Sequence, residues 1–280
     1  MLSEGIHSVV DTGNQVLLLY GLRRAQRPPD QHFPFGHGKE VYFWSFIVAI
    51  LVFALGAGIS IYEGIMHLLH PSLPEKPLVN YIVLGLAFAF EGVAWFFAFK
   101  SFSRDKGKLG YIEAVQRGKD PSTFVVLFED SAAMLGLVIA FLGVWLSQVT
   151  GIAWFDGLAS ILIGLLLAAT ATWLAYETKG LLIGESANQW IVEGVRELVS
   201  SRGSVENVNE VLTMHMGPDY ILVNVSLDFR DEIPAGEVER VVAGLDCEIK
   251  ANYEKVKRVF IEARSSSQLP DEAGGNDDRA

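Results

Sequence analysis

Cysteine is almost absent from this chain: Cys247 stands alone among 280 residues, so no intramolecular disulfide can staple the fold. Positive charge is also short. Lysine and arginine number 22 against 33 aspartates and glutamates, a net charge of −11, and no basic face dominates, which speaks against nucleic acid as a partner. No glycine-rich phosphate loop occurs, so nothing suggests a nucleotide-driven machine, and any work on a solute has to draw on an ion gradient. A His-Glu-x-x-His pattern and a serine–histidine nucleophile arrangement are missing as well, which argues against a membrane-embedded metalloenzyme or protease. Charged residues make up only 20% of the chain and hydrophobic ones 50%, with a mean hydropathy of +0.31. What is present is a chain suited to lipid.

The apolar residues are clustered. Long runs cover Trp44 to Leu69, Leu78 to Phe99, Phe124 to Leu146 and Phe155 to Tyr176. Each reaches the roughly 20 residues that a bilayer-spanning helix needs. The stretch from Ile6 to Leu22 is shorter and more polar, and a bundle made by the other four can shelter its polar face. The loops set the expected orientation. Arg23, Arg24, Arg27 and Lys39 follow the first helix, and Lys100, Arg104, Lys106, Lys108, Arg117 and Lys119 follow the third; the opposite loops carry only Lys76. Basic loops mark the cytoplasmic side, so these loops and the C-terminal region are expected in the cytoplasm and the first helix is expected to start outside. A chain opening on Met-Leu-Ser-Glu just before such a helix is expected to lack one helix upstream.

From Glu185 onward amphipathic periodicity replaces continuous hydrophobicity. Asn188 to Ser201 reads as a helix, Val205 to Met216 and Tyr220 to Phe229 as a hairpin turned by Gly217-Pro218-Asp219, Ile233 to Tyr253 as a helix broken at Gly244, and Val256 to Ala263 as a last strand. The expected fold class is a multi-pass α-helical membrane bundle over residues 1–184, with helices at about 6–22, 43–69, 78–101, 122–147 and 155–177. A small cytoplasmic α+β domain of order α-β-β-α-β, ferredoxin-like, follows over 185–265, and then an acidic tail, 266–280, of disordered composition.

The chemistry lies in the polar residues that the membrane segments keep. His7 and Asp11 are four apart, so they share one helix face, and an imidazole with a carboxylate at that spacing makes half of a metal site. Glu91, Glu129 and Asp130 lie within apolar runs, where an ionisable side chain is by default a functional candidate. Asp156 enters the last membrane helix and is expected to cap its N-terminus. His67 and His70 lie at a helix end before Pro71 and read as interfacial.

The run His-Ser-Val-Val-Asp-Thr-Gly-Asn-Gln-Val-Leu-Leu from His7, the segment Arg-Pro-Pro-Asp30, the sequence Phe35-Gly-His-Gly-Lys-Glu40 and Asp156-Gly-Leu-Ala-Ser160 together resemble the cation diffusion facilitator (cation efflux) family. The resemblance runs from Glu4 to about Ala263. It implies six transmembrane helices, of which the first is absent here, a homodimer, and exchange of a divalent metal, usually zinc, against protons. It also implies a transport site of two ligand pairs. The first pair falls on His7 and Asp11. In the second, Asp130 takes one place and Val126 the other, so this chain departs from the pattern. Candidates for the missing donor are Glu129, turned about 100° from Asp130 around the helix, Glu91, and Asn14, a neutral oxygen donor on the face of His7 and Asp11. Three protein ligands and a water would also satisfy zinc. Added carboxylates shift the preference toward manganese or iron, with cobalt a further substrate.

The resemblance further implies a second metal site in the loop, for which Asp30, His32 and His37 are the candidates, and a metal cluster in the cytoplasmic domain. There Asn209, Val225 and Glu262 occupy the ligand positions, with His215 and Asp228 nearby, and that cluster is expected to be degenerate. No prosthetic group is implied. Metal binding requires deprotonated ligands, and carboxylates taken out of water hold protons more readily, so loading and proton release are coupled. His7 belongs to the residue type that titrates near neutrality. The expected partners are the lipid bilayer, divalent metal ions, protons and a second copy of the chain, and the expected location is a bacterial cytoplasmic membrane. A family member that dimerises without transporting is the alternative.

Overall fold

The computed structural model describes residues 2–71, 77–106, 110, 114 and 121–266. The acidic tail from residue 267, Lys76, and Lys108, Arg117 and Lys119 of the second basic loop lie outside the described residues. The chain divides into two compact units after Ile183.

The first unit is helical. It comprises α1 (Leu2–Ala25), α2 (Glu40–Leu51), a π-helical segment (Val52–Ala57), α3 (Gly58–Leu69), α4 (Pro77–Asp105), α5 (Pro121–Thr150) and α6 (Trp154–Ile183). Among the described residues, four helical stretches are long and apolar enough to cross a membrane: Glu40–Leu69, Leu78–Arg104, Phe124–Thr150 and Trp154–Ile183. The first of these joins α2 to α3 through the wider π turn, a break in register within one apolar run. α6 runs six residues past its expected end because Leu181 is buried against Val41 and Tyr42, which hold its last turns to the start of α2.

Apolar side chains gain little by leaving lipid for a protein interior, so helices in a bilayer associate where small residues let backbones approach. α3 and α6 do this at Gly64 and Gly157. A Cβ on Gly64 would lie 2.8 Å from the carbonyl oxygen of Gly157, and one on Gly157 would lie 3.0 Å from that of Gly64. Gly21 of α1 rests on Trp44 of α2, and Gly143 of α5 on Ala159 of α6. The centre is filled by Leu18, Val48, Ala49, Phe124, Val125, Ala171 and Leu174, all buried, while large apolar side chains such as Phe90 of α4 and Leu165 of α6 face outward.

The second unit contains α7 (Gln189–Ser200), β1 (Val205–Gly217), β2 (Tyr220–Phe229), α8 (Ala235–Asn252) and β3 (Val256–Ala263). The sheet order is β1-β2-β3, with β1 antiparallel and β3 parallel to the central β2. One face is covered. Ile191, Val195 and Val199 of α7 and Leu245 and Ile249 of α8, each at four-residue spacing, pack on Val211, Ile221, Val223, Val225 and Leu227. Gly244 does not break α8, as the sequence suggests it should. A glycine in mid-helix costs about 0.5–1 kcal/mol, less than burial of the neighbouring Leu245 and Ile249 returns. The other face is open and carries rows fixed by the strand register: Glu210-Ser226-Glu262, Leu212-Asn224-Phe260 and Met214-Leu222-Arg258.

Candidate metal centre

α1 turns one stripe inward. Asn14, Leu18 and Gly21, spaced by four and three, are buried, and Asn14 is only 1% exposed although its side chain is fully polar. Helical register puts positions 7 and 11 on the same stripe. The side chains of residues 2–11, those of His7 and Asp11 included, lie outside the described residues.

Across from this stripe, α5 buries two consecutive carboxylates, Glu129 and Asp130. Asn14 Nδ2 donates to Glu129 Oε1 at 2.7 Å, a buried bond that joins residues 115 positions apart in the chain. The structure therefore brings Asn14 and Glu129 together directly beside Asp130. Val126 is part-buried against the central apolar cluster and supplies no donor. Among the described residues, no three His, Cys, Asp or Glu side chains converge to form a metal cage.

α4 flanks the same level of α5. Trp95 Nε1 donates to Ser131 Oγ at 2.9 Å, and Ser131 Oγ donates to the Leu127 carbonyl at 2.6 Å. Gly92 lies against Met134, so α4 runs antiparallel to α5 and places Glu91 about one turn from Asp130, away from the basic-loop end. The Trp95–Ser131 tie is not legible in the sequence, where Trp95 is one more aromatic in an apolar run.

The loop between α1 and α2 is tightly built. Asp30 Oδ1 accepts the backbone N–H groups of His32 and Phe33, both at 2.8 Å, and Asp30 Oδ2 lies 3.0 Å from His37 Nε2. The Phe33 ring packs on the His37 ring at 4.6 Å, and Gly36 turns the chain with φ +84°. Asp30 and His37 therefore meet, while the His32 side chain is exposed and joins only through its backbone. The Phe33 N–H, then His37, hold the Asp30 carboxyl below the usual carboxylate range, and burial lowers the neighbouring Lys39. Glu40 Oε1 accepts from Arg24 at 2.7 Å and Glu40 Oε2 from Trp44 Nε1 at 2.9 Å, which ties the end of α1 to the start of α2 across the loop.

At the opposite end of the unit, Asp156 lies within the first turn of α6 and not at its cap, and its Oδ2 is 3.5 Å from His67 Nδ1 of α3. In the second unit the candidate donors are dispersed. His215 is buried on the covered side of the sheet, Glu262 stands on the open side, Asn209 donates to the Arg264 carbonyl at 2.8 Å, and Asp228 accepts the Ser266 N–H at 2.8 Å.

Apolar helices long enough to span a bilayer, enclosing an amide and two carboxylates, define an integral multi-pass membrane protein with a polar centre of the kind a solute carrier needs. Residues 1–183 match the cation efflux transmembrane domain, and the chain belongs to the cation efflux family, a family of transporters. It is 38% identical over 232 residues to a Xenopus laevis protein named proton-coupled zinc antiporter SLC30A9, mitochondrial, a match covering 82% of this chain and 41% of that protein. It is 31% identical to metal tolerance protein C4 of Arabidopsis thaliana, over 83% of this chain and 51% of that one. With the manganese efflux system protein MneP of Bacillus subtilis it shares 20% identity, over 93% of this chain and 84% of that protein. The chain thus spans about half the length, or less, of the first two relatives.

Proposed function

We propose that this chain moves a divalent metal cation, zinc foremost, across its membrane in exchange for protons by alternating access. The observation that carries the reading is the buried Asn14–Glu129 pair beside Asp130, facing the stripe to which positions 7 and 11 belong. A polar group at that depth is costly in a helix that only packs against lipid and other helices, and it is retained where it does work on an ion. His7, Asp11 and Asp130 hold the metal, with oxygens from Glu129 and Asn14 on the basic-loop side and Glu91 one turn beyond on the other. Loading the ion displaces protons from these groups, and protons return when it leaves. The names of the similar zinc antiporter and manganese exporter support this reading.

A second substrate, manganese, is favoured by one feature: the position of Val126 adds no nitrogen donor, while Asn14, Glu129 and Asp130 add oxygens. The membrane is a cytoplasmic one, with the basic loops and the second unit in the cytoplasm. The assembly is a homodimer through the open sheet face, where exposed Leu212 and Phe260 lie between the acidic row of Glu210 and Glu262 and the row ending in Arg258. A two-fold axis through the middle row sets the acidic row of one copy over Arg258 of the other.

The test is metal-driven proton movement in proteoliposomes holding the full chain. Zinc is expected to drive proton flux, manganese to compete, and Asp130→Ala to abolish both. Absence of flux with zinc, manganese, iron and cobalt, with the dimer intact, would refute transport and leave a dimerising scaffold.

A further inference from the structure

The Asn14–Glu129 bond has a second property besides its chemistry: its place relative to the apolar core. α1 and α5 run in opposite directions: Asn14 meets Glu129, and Leu18, one turn later in α1 toward the basic end at Arg23 and Arg24, shares a buried cluster with Phe124 and Val125, one turn earlier in α5. Toward that end from Asn14 the next inward residue of α1 is Leu18, and toward that end from Glu129 the preceding turn of α5 carries Phe124 and Val125. These three side chains are buried together with Val48 of α2 and Leu174 of α6. The amide–carboxylate bond thus borders an apolar plug, and it ties the helix carrying positions 7 and 11 to the helix carrying Asp130.

Between this cluster and the buried Val41, Tyr42 and Leu181 nearer the basic end lies a hydroxyl that, like those of Ser103 and Ser147, is buried without a partner among the described residues. Ser45 of α2, one turn from Val48 and Ala49 toward the basic end, is fully buried, and among the described residues its Oγ has no hydrogen-bond partner. The hydroxyls of Thr170, Thr172 and Thr178 in α6 each bond back to a carbonyl of their own helix. A buried hydroxyl without a partner is costly, and water is the partner that opening of the plug would bring to it.

We propose that the Asn14–Glu129 hydrogen bond is the latch of a gate on the basic-loop side of the metal centre, with Leu18, Phe124, Val125 and Leu174 as the inner layer of its apolar seal and Val41, Tyr42 and Leu181, against which Leu22 and Ala25 of α1 pack, as the outer layer. This rests on the transport reading and assigns Asn14 a positioning role, through its amide N–H, in addition to the place of its oxygen in the metal centre. With the bond made, α1 and α5 are held together and the route to the basic end is closed. With the bond broken, the helices part, the seal opens, and water reaches Ser45.

The experiment uses the full chain in proteoliposomes, without added metal, in a Cys247→Ala background carrying Ser45→Cys as reporter. A charged, membrane-impermeant methanethiosulfonate is applied from each side in turn. Otherwise unaltered protein is expected to label slowly. Asn14→Ala is expected to speed labelling roughly tenfold, from the basic-loop side only, the population shift expected when a buried acceptor loses its hydrogen-bond partner. Glu129→Gln keeps a carbonyl acceptor for the Asn14 amide and is expected to stay closed. At alkaline pH, where two facing carboxyl groups no longer share a proton, Asn14→Asp is expected to open the gate, and adding Glu129→Gln to it is expected to close it again by restoring a donor–acceptor pair. That rescue also shows that the opened variants were folded. Labelling of Asn14→Ala at the unaltered rate, or acceleration from both sides alike, would overturn the latch. If zinc flux falls in Asn14→Ala while labelling does not change, the pair serves ligation alone and the latch is wrong. If labelling responds as expected but the unaltered chain moves no metal, the latch stands and the transport reading fails.

Discussion

Gly64→Ala probes the contact that holds α3 to α6. The added methyl would lie 2.8 Å from the Gly157 carbonyl oxygen and 2.8 Å from the Ile161 backbone nitrogen, and 2.6 Å from Ile161 Cγ1. The side-chain atom can rotate away, but the backbone atoms cannot, so the helices must part by roughly half an ångström, toward ordinary van der Waals contact. Overpacking of this kind costs about 1–3 kcal/mol, and the ordinary gain from replacing a mid-helix glycine with alanine returns about 0.5–1 kcal/mol. A net loss of about 1–2 kcal/mol is expected. Gly85→Ala is the internal control, because a Cβ there meets nothing within 4 Å and only the helix gain remains. Gly157→Ala should resemble Gly64→Ala, since its methyl would meet the Gly64 carbonyl at 3.0 Å. The double variant should cost less than the sum, because separation forced by the first methyl makes room for the second. The assay is unfolding of the full chain in detergent, by temperature or by denaturing surfactant. Equal stability of Gly64→Ala and Gly85→Ala, or strict additivity of Gly64→Ala with Gly157→Ala, would show that this interface is not backbone-limited.

Trp95→Phe keeps the ring and removes the indole N–H that reaches Ser131 at 2.9 Å, so it should raise the apparent KM for metal several-fold with less effect on maximal rate, read as zinc flux against concentration. The Asp30 carboxyl is held low by the Phe33 N–H and by His37, so its folded value lies below its unfolded one. Its stabilisation of the loop is therefore complete above the unfolded carboxylate value and is lost as pH falls through the depressed folded value. Hydrogen exchange at the Phe33 amide should be slow at neutral pH and accelerate, relative to the intrinsic rate, only under acid conditions, while Asp30→Asn should be faster already at neutral pH. Leu245→Ala, at a fully buried site under the sheet, should cost about 2–5 kcal/mol in the unfolding of the second unit. Phe260→Asp on the open face should leave that unit folded but shift the full chain in detergent toward monomer, measured by light scattering; an unchanged mass would refute the sheet-face dimer.

Legibility in the sequence varied with the range of the interaction. The four long apolar helices were readable because length and hydrophobicity are local properties. The hairpin at Pro218 and Asp219 and the β3 strand were readable because alternation and turn residues are local as well. The supposed break at Gly244 misled because a weak local preference yields to the burial of Leu245 and Ile249. In the loop, spacing alone could not say which of His32 and His37 faces Asp30; the turn through Gly36 decides it, and His37 meets the carboxylate while the His32 ring stays exposed. Asp156 reads locally as a cap, yet its side chain is taken up by His67, a neighbour supplied by another helix.

The sequence by itself determined that this chain enters a membrane, that a small α+β unit follows, and that polar residues at positions 14, 91, 129 and 130 are carried into the apolar layer. Periodicity and segment length encode those outcomes, because each depends on residues within a turn or two of one another. The tertiary structure alone decided that Asn14 meets Glu129, that Trp95 ties α4 to Ser131, and that Gly64 and Gly157 put two backbones in contact. Those pairings join residues far apart in the chain, and they follow from how helices of nearly equal hydrophobicity select neighbours: through small residues and a few buried hydrogen bonds, which no single segment's pattern contains.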